Sequence, residues 1–143
     1  MINLGTLNVR GMGSKWKQAC FLHDLISHRI NVAVITESKM KGPEAFSPLL
    51  NGYDKFISPS RRGGAGVAVL IKKNLDFQIR AVFLDPEGRL VVLDVTHESK
   101  QSFRLVAAYA PNGQRQSDFF RNLEYFLLTS KTIVLLGDFN TIL

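Results

Sequence analysis

The chain has 143 residues, room for one ordinary domain and not for two. A hydrophobic content of 45% excludes general disorder, and a single cysteine, Cys20, excludes a disulfide framework and fits a reducing compartment. The formal charge of +6 favours polyanionic partners such as nucleic acid, although excess lysine and arginine is more often a solvated surface. The N-terminal "MINLGTLNVRG" lacks the basic segment and apolar stretch of a signal peptide, and no apolar run approaches the ~20 residues of a membrane helix. These features together predict an intracellular protein, nuclear or cytoplasmic.

In chain order, residues 2–9 alternate loosely and predict a first strand, broken by Gly11 and Gly13. Ser14 is placed to cap a helix over about 15–29, with Trp16, Ala19, Cys20, Leu22, Leu25, Ile26 and Ile30 at three-and-four spacing. Residues 31–36, "NVAVIT", are apolar on both faces, as in a parallel strand covered on each side. Strand, helix and strand make a crossover unit, right-handed by default. A Gly/Pro-marked loop over 38–52 leads into five runs of strand character, "YDKFIS", "GVAVLIKK", "FQIRAVFLD", "RLVVLDVT" and "SFRLVAAYA". "DPEG" (85–88) has good turn chemistry between two of them, which predicts an antiparallel meander. A second amphipathic helix over 116–128 turns Phe119, Phe120, Leu123, Phe126 and Leu127 inward, and "TIVLLGD" is a last buried strand. The fold class is α/β, a layered sheet structure rather than a pure Rossmann arrangement.

Four strands finish in polar residues: the first in Asn8, the second in Thr36-Glu37, the "RLVAAYA" strand in Tyr109, the last in Asp138 and Asn140. Parallel strands would open all four ends onto one crevice, where ligands of open α/β sheets bind. Two carboxylates, two amides and a phenol there form an oxygen-rich pocket, which suits Mg²⁺ or Mn²⁺ rather than zinc. Such a cation near lysine and arginine suggests phosphate ester chemistry. Taken singly, Asn8 reads first as a strand terminator, Tyr109 equally as a core aromatic, and Asp138, after Gly137, also as an ordinary turn residue. Glu37 is the best single candidate, because a carboxylate after an apolar run needs compensation.

In that order and spacing, "LNVRG", "ITESK", "GGAGVAVLI", "AAYAPN" and "LLGDFN" resemble the endonuclease/exonuclease/phosphatase superfamily. More narrowly, they resemble the apurinic-type endonuclease domain at the N-terminus of non-LTR (LINE-type) retrotransposon polyproteins. The resemblance implies a four-layer α/β sandwich, two mixed sheets with helices outside. It implies that Glu37 binds the metal with Asn8 beside it, that Tyr109 contacts the scissile phosphate, that Asp138 orients or activates the attacking water, and that Asn140 helps hold the phosphate. Members of the superfamily continue past Gly-Asp-Phe-Asn into more strands, a further Asp and an Asp-His segment. The chain is therefore expected to be a partial domain, truncated after that segment, inactive or weak by itself. Its implied partners are DNA and a missing C-terminal half or the reverse transcriptase domain of a parent polyprotein. A phosphatase of inositol or other small phosphate esters and a non-catalytic nucleic-acid-binding remnant stand as alternatives.

Arg61, Arg62, Lys39 and Lys41 lie in loops that could border the crevice and touch phosphates, and read equally as a solvated surface. His23 and His28 are five apart on the first helix and do not share a face. Neither they nor His97 matches the superfamily's catalytic histidine. Gly63, Gly64 and Gly66 read as a flexible turn into a strand, since no Lys-Ser/Thr or helix follows.

Overall fold

The computed structural model describes residues 1–61 and 65–141. Its first unit follows the sequence closely. Strand β1 (Leu4–Asn8) and strand β2 (Val32–Thr36) pair in parallel, Leu4 opposite Val32 and Asn8 opposite Thr36, joined by helix α1 (Lys15–Ser27). Ser14 caps α1, its side chain accepting from Lys17 N at 3.2 Å. The 38–52 loop contains two one-turn 3-10 helices, Pro43–Ala45 and Pro48–Leu50.

The five middle runs are divided between two sheets. Strands β3 (Tyr53–Ser58) and β4 (Val67–Lys72) form a hairpin that joins β2, giving the order β1-β2-β4-β3. Strands β5 (Phe77–Leu84), β6 (Leu90–His97) and β7 (Ser102–Tyr109) form the meander of a second sheet. Its turn is the expected one, with Asp85 accepting from Glu87 N and Arg89 N and Gly88 at φ +79°. Helix α2 (Gln116–Leu127) then leads to β8 (Thr132–Asp138), parallel to β7. Each sheet thus holds one crossover unit, and β1 and β8 are edge strands.

Three apolar layers hold the four structural layers together. Phe21 and Leu25 of α1 pack on Ala33, Ile35, Ala68 and Leu70. Between the sheets, Val32, Val34, Val67 and Val69 face Val91, Leu93, Leu105 and Ala107. Phe119 and Leu123 of α2 pack on Leu90, Val92, Val106 and Ala108, with the expected Phe120, Phe126 and Leu127 against them. This is the α/β sandwich anticipated from the sequence.

One helix face differs. Leu25 of the expected face is buried and Leu22 and Ile30 pack alongside, but Trp16, Cys20 and Ile26 are exposed, and α1 buries Gln18 and Phe21 in their place. Apolar residues lie on several sides of α1, so periodicity alone does not choose a face. Gln18 can be buried because both its amide nitrogen and its amide oxygen are hydrogen-bonded. It donates to Met12 O (2.9 Å) and Ala45 O (3.3 Å) and accepts from Ser47 N (2.5 Å), which pins the 38–52 loop to α1.

No helix among the described residues is long and apolar enough to cross a membrane.

Candidate active site

The C-terminal ends of β1, β2, β7 and β8 meet at one rim, two from each sheet. Asn8 Nδ2 donates to Glu37 Oε1 (3.0 Å) and to Asp138 Oδ2 (3.1 Å). Tyr109 donates its hydroxyl to the same Glu37 Oε1 at 2.9 Å. One continuous chain of hydrogen bonds, Tyr109–Glu37–Asn8–Asp138, therefore crosses from sheet to sheet. The crevice expected from a single row of parallel strands is instead made by two sheets facing each other.

The backbone around this chain is held in unusual conformations. Arg10 (φ 48°), Glu37 (φ 51°), Lys39 (φ 56°) and Asn140 (φ 45°) are left-handed, four of the six non-glycine residues of positive φ among the described residues. Such conformations persist where surrounding bonds over-determine them, and they cluster at functional sites. Here Gly11 N donates to Glu37 O, Met12 N to Ser38 O, and Ser38 N to Gly66 O, so three segments lock one another. Lys17 Nζ reaches from α1 to Val9 O at 2.6 Å. Gly66 (φ +121°) is required there, since a Cβ would strike Ser38 Oγ and crowd Lys39 N. On β8, Gly137 (φ +147°) lies so close to Ala108 that a Cβ would overlap its carbonyl oxygen. That close approach sets where Asp138 emerges.

Asp138 and Asn140 form a turn of their own. Asn140 N donates to Asp138 Oδ1 (3.1 Å), and Asn140 Nδ2 donates to Ala110 O (2.7 Å), tying the segment to the end of β7. Gln116, the first residue of α2, donates to Asn140 O at 3.1 Å.

Donation from Asn8, with further help from Tyr109 and the nearby Lys39 and Arg10, outweighs burial and holds the Glu37 carboxyl below its usual value. Burial, reinforced by the bond to Glu37, pushes the Tyr109 phenol up. Glu37 is thus an anion and Tyr109 a protonated donor at neutral pH. Glu37 Oε1 takes both donors, while Oε2 accepts no hydrogen bond among the described residues.

Two recesses flank this chain. One, about 820 Å³, is lined by Thr6, Asn8, Thr36, Asp138, Phe139 and Asn140 among others. The other, about 450 Å³, lies beside Glu37 and Tyr109 and includes Lys39, Arg89, Asn112 and Arg115. Of the four basic residues expected near the crevice, Lys39 lines a recess, Lys41 and Arg61 are exposed on their loops and line neither recess, and Arg62 lies outside the described residues. His23 and His28 are exposed on α1, and His97 closes a surface turn with Ser99.

Arg89 and Arg115 were not anticipated. Arg89 sits at the start of β6, its Cζ 4.8 Å from the centre of the Tyr109 ring. Because β6 runs antiparallel to β7, the beginning of β6 shares a rim with the end of β7. Attention to strand C-termini alone overlooks that neighbour. Arg115 comes from a one-turn 3-10 helix, Gly113–Arg115, just past Pro111. Neither arginine, nor Lys39, makes an ion pair among the described residues.

A two-sheet sandwich whose strand ends gather carboxylate, amide and phenol oxygens beside cations without ion pairs among the described residues has the makings of a phosphate-ester enzyme. The chain belongs to the endonuclease/exonuclease/phosphatase family, which it matches over residues 5–143. Among solved structures, it superposes on the endonuclease domain of TRAS1, a telomere-specific non-LTR retrotransposon, with TM-score 0.72 and 15% identity, covering 96% of this chain and 59% of that one. It superposes on the Xenopus laevis APE2 catalytic domain with TM-score 0.67 and 20% identity, covering 96% and 58%. For the Neisseria 3′ phosphatase NExo, bound to a product DNA hairpin, the values are 0.68 and 21%, covering 98% and 58%. These likenesses establish the fold. The chain spans somewhat under three-fifths of the length of these solved structures.

Proposed function

We propose that this chain is a metal-dependent phosphodiester hydrolase of the endonuclease type, acting on DNA and of the retrotransposon target-nicking lineage. The observation that carries the proposal is the bonded chain Tyr109–Glu37–Asn8–Asp138, which sets two carboxylates from different sheets on either side of one amide.

The donor set fits Mg²⁺ or Mn²⁺. Glu37 Oε2 accepts no hydrogen bond among the described residues, and Mg²⁺ characteristically takes only one or two carboxylates, filling its shell with water and substrate phosphate. Glu37, with Asn8 beside it, would hold the ion. When bound, the ion supplies neutralisation of phosphate charge and stabilisation of the leaving oxygen. The remaining work falls to the chain itself. Tyr109 keeps its proton and donates to Glu37 or to a phosphate oxygen, and the amides of Asn8 and Asn140 add donors without repulsive charge. Asp138 accepts the proton of the attacking water.

A nucleic acid is favoured over a small phosphate ester by the recess beside Tyr109. Lys39, Arg89 and Arg115 are three cations with no ion-pair partner among the described residues, next to the residues that would hold the scissile phosphate. A polynucleotide carries further phosphates to meet them, and an isolated ester does not. Low activity is expected, because the crevice among the described residues holds two carboxylates and no histidine, and groups that act as a unit lose most of the rate when incomplete.

The deciding experiment is nicking of supercoiled plasmid with Mg²⁺, with Glu37→Ala and Asp138→Ala alongside and circular dichroism to confirm folding. Metal-dependent nicking lost in both variants supports the reading. Hydrolysis of a small phosphate ester with plasmid untouched would establish a phosphatase instead. Salt-dependent DNA binding that ignores Mg²⁺, survives Glu37→Ala and yields no product would establish a binding module.

A further inference from the structure

Thr36 ends β2 with a side-chain hydroxyl that no group among the described residues satisfies. Its Oγ1 is the one buried side-chain polar atom without a hydrogen-bond partner among the described residues, in a residue 1% exposed. An orphaned hydroxyl costs on the order of 1–3 kcal/mol, and folded proteins nearly always satisfy such groups through protein or ordered water.

The cross-strand neighbours of Thr36 do not do so. Its cross-strand partners are Asn8 on β1 and Val67 on β4. Val67 has no polar side-chain atom. Asn8 donates its amide to Glu37 and Asp138, and its Oδ1 accepts from Arg10 N at 3.1 Å. Thr36 instead helps line the recess shared by Asn8, Asp138 and Asn140. That recess is roomy, and the side chains of Asn8, Asp138 and Asn140 on its otherwise largely apolar walls offer the additional partners a held water needs.

We propose that Thr36 anchors a water molecule on the floor of this recess, and that this water is the one Asp138 activates. The Thr36 hydroxyl donates to the water, the water donates one hydrogen to the Asp138 carboxylate, and one lone pair remains to face phosphorus. On attack the water oxygen bonds to phosphorus, its proton passes to Asp138, and the bond from phosphorus to the leaving oxygen breaks. The leaving oxygen collects a proton from solvent. Thr36 suits the task because it is β-branched and held between two paired strands, so its hydroxyl is fixed before substrate arrives. It is a positioning residue that acts through the water. The anchoring of a water stands independently of the proposed hydrolase activity, and the activation of that water rests on it.

The test pairs Thr36→Val, which keeps the shape and removes the hydroxyl, with Thr36→Ser, which keeps the hydroxyl. High-resolution crystal structures are expected to show a water within hydrogen-bonding distance of Oγ in wild type and T36S, and none there in T36V. In plasmid nicking, T36V is expected to lower kcat about ten- to a hundredfold with KM unchanged, and T36S to restore it. A wild-type map with no water at Thr36, or T36V with wild-type kcat, overturns the proposal. Should wild type nick nothing, the hydrolase reading and the activation step fall together, and the crystallographic water still decides the anchoring. The wild-type and T36S maps suffice for that decision even if T36V does not fold.

Discussion

Asn8 and Asp138 lie 130 positions apart in sequence and are joined by a hydrogen bond of 3.1 Å between Asn8 Nδ2 and Asp138 Oδ2. The same nitrogen donates to Glu37, so one amide separates two carboxylates that would otherwise repel at short range. The bond also links the edge strand of one sheet to the edge strand of the other.

Removing that amide should change how Glu37 titrates. Donors favour the carboxylate form, so their loss raises the Glu37 pKa toward its ordinary value. Asn8 contributes most and Tyr109 less. Carbon-13 NMR titration of Glu37 is therefore expected to show a larger upward shift in Asn8→Ala than in Tyr109→Phe. Equal shifts, or a shift only in Tyr109→Phe, would contradict the assigned order.

Asp94 should control acid stability. It is 5% exposed on β6 and pairs with Arg104 (2.8 Å), Arg80 (3.0 Å) and Lys131 (3.0 Å), while Arg104 also donates to Phe126 O near the end of α2. Arg104 above all, with Lys131 and Arg80, holds its carboxyl far below the usual range. A depressed folded value means stability that is complete above the unfolded carboxylate value, shrinks as pH drops below it, and vanishes once pH falls through the folded value. Asp94→Asn is expected to cost about 3 kcal/mol at neutral pH, because it strands the largely buried Arg104. Urea melts of both proteins from pH 7 toward pH 2 should show the gap narrowing steadily at the acid end without closing.

Gly137→Ala is expected to destabilise the fold by about 3 kcal/mol, since β8 would have to leave Ala108 to make room. Gly13→Ala is the control, because nothing lies within 4 Å of its added Cβ. Its change in urea midpoint should correspond to less than about 0.5 kcal/mol.

The basic recess makes a prediction in salt. Replacing Arg89 or Arg115 by Gln is expected to reduce the slope of log affinity against log salt for DNA by about 1 per residue. Lys41→Gln, outside both recesses, should leave the slope nearly unchanged. Equal slopes for all three variants, measured by fluorescence anisotropy, would detach the recess from DNA binding.

Much of the fold was legible because its signals are local. The Ser14 cap, the Asp85–Gly88 turn, the inward face of α2 and the strand residues all depend on chemistry within a few positions. The candidate residues Asn8, Glu37, Tyr109 and Asp138 stood out for the same reason, as polar groups ending apolar strands. The buried face of α1 was legible only in part, in Leu22, Leu25 and Ile30, because Gln18 outcompetes Trp16 and Ile26 only when the 38–52 loop supplies its partners. Arg89 was hidden because its relation to Tyr109 arises from antiparallel pairing, which no single strand announces.

The sequence by itself thus determined the elements, their polar ends and the family to which they belong. Only the tertiary structure decided how the middle strands are shared between the two sheets, that Glu37 and Asp138 meet through one amide, and that the Thr36 hydroxyl finds no partner among the described residues. The physical reason is range. Caps, turns and periodicity are settled by neighbours along the chain, whereas the rim is assembled by burying the valine-rich faces of two sheets against each other. That burial brings together side chains 72 and 130 positions apart, and no pattern in the intervening residues records their distance.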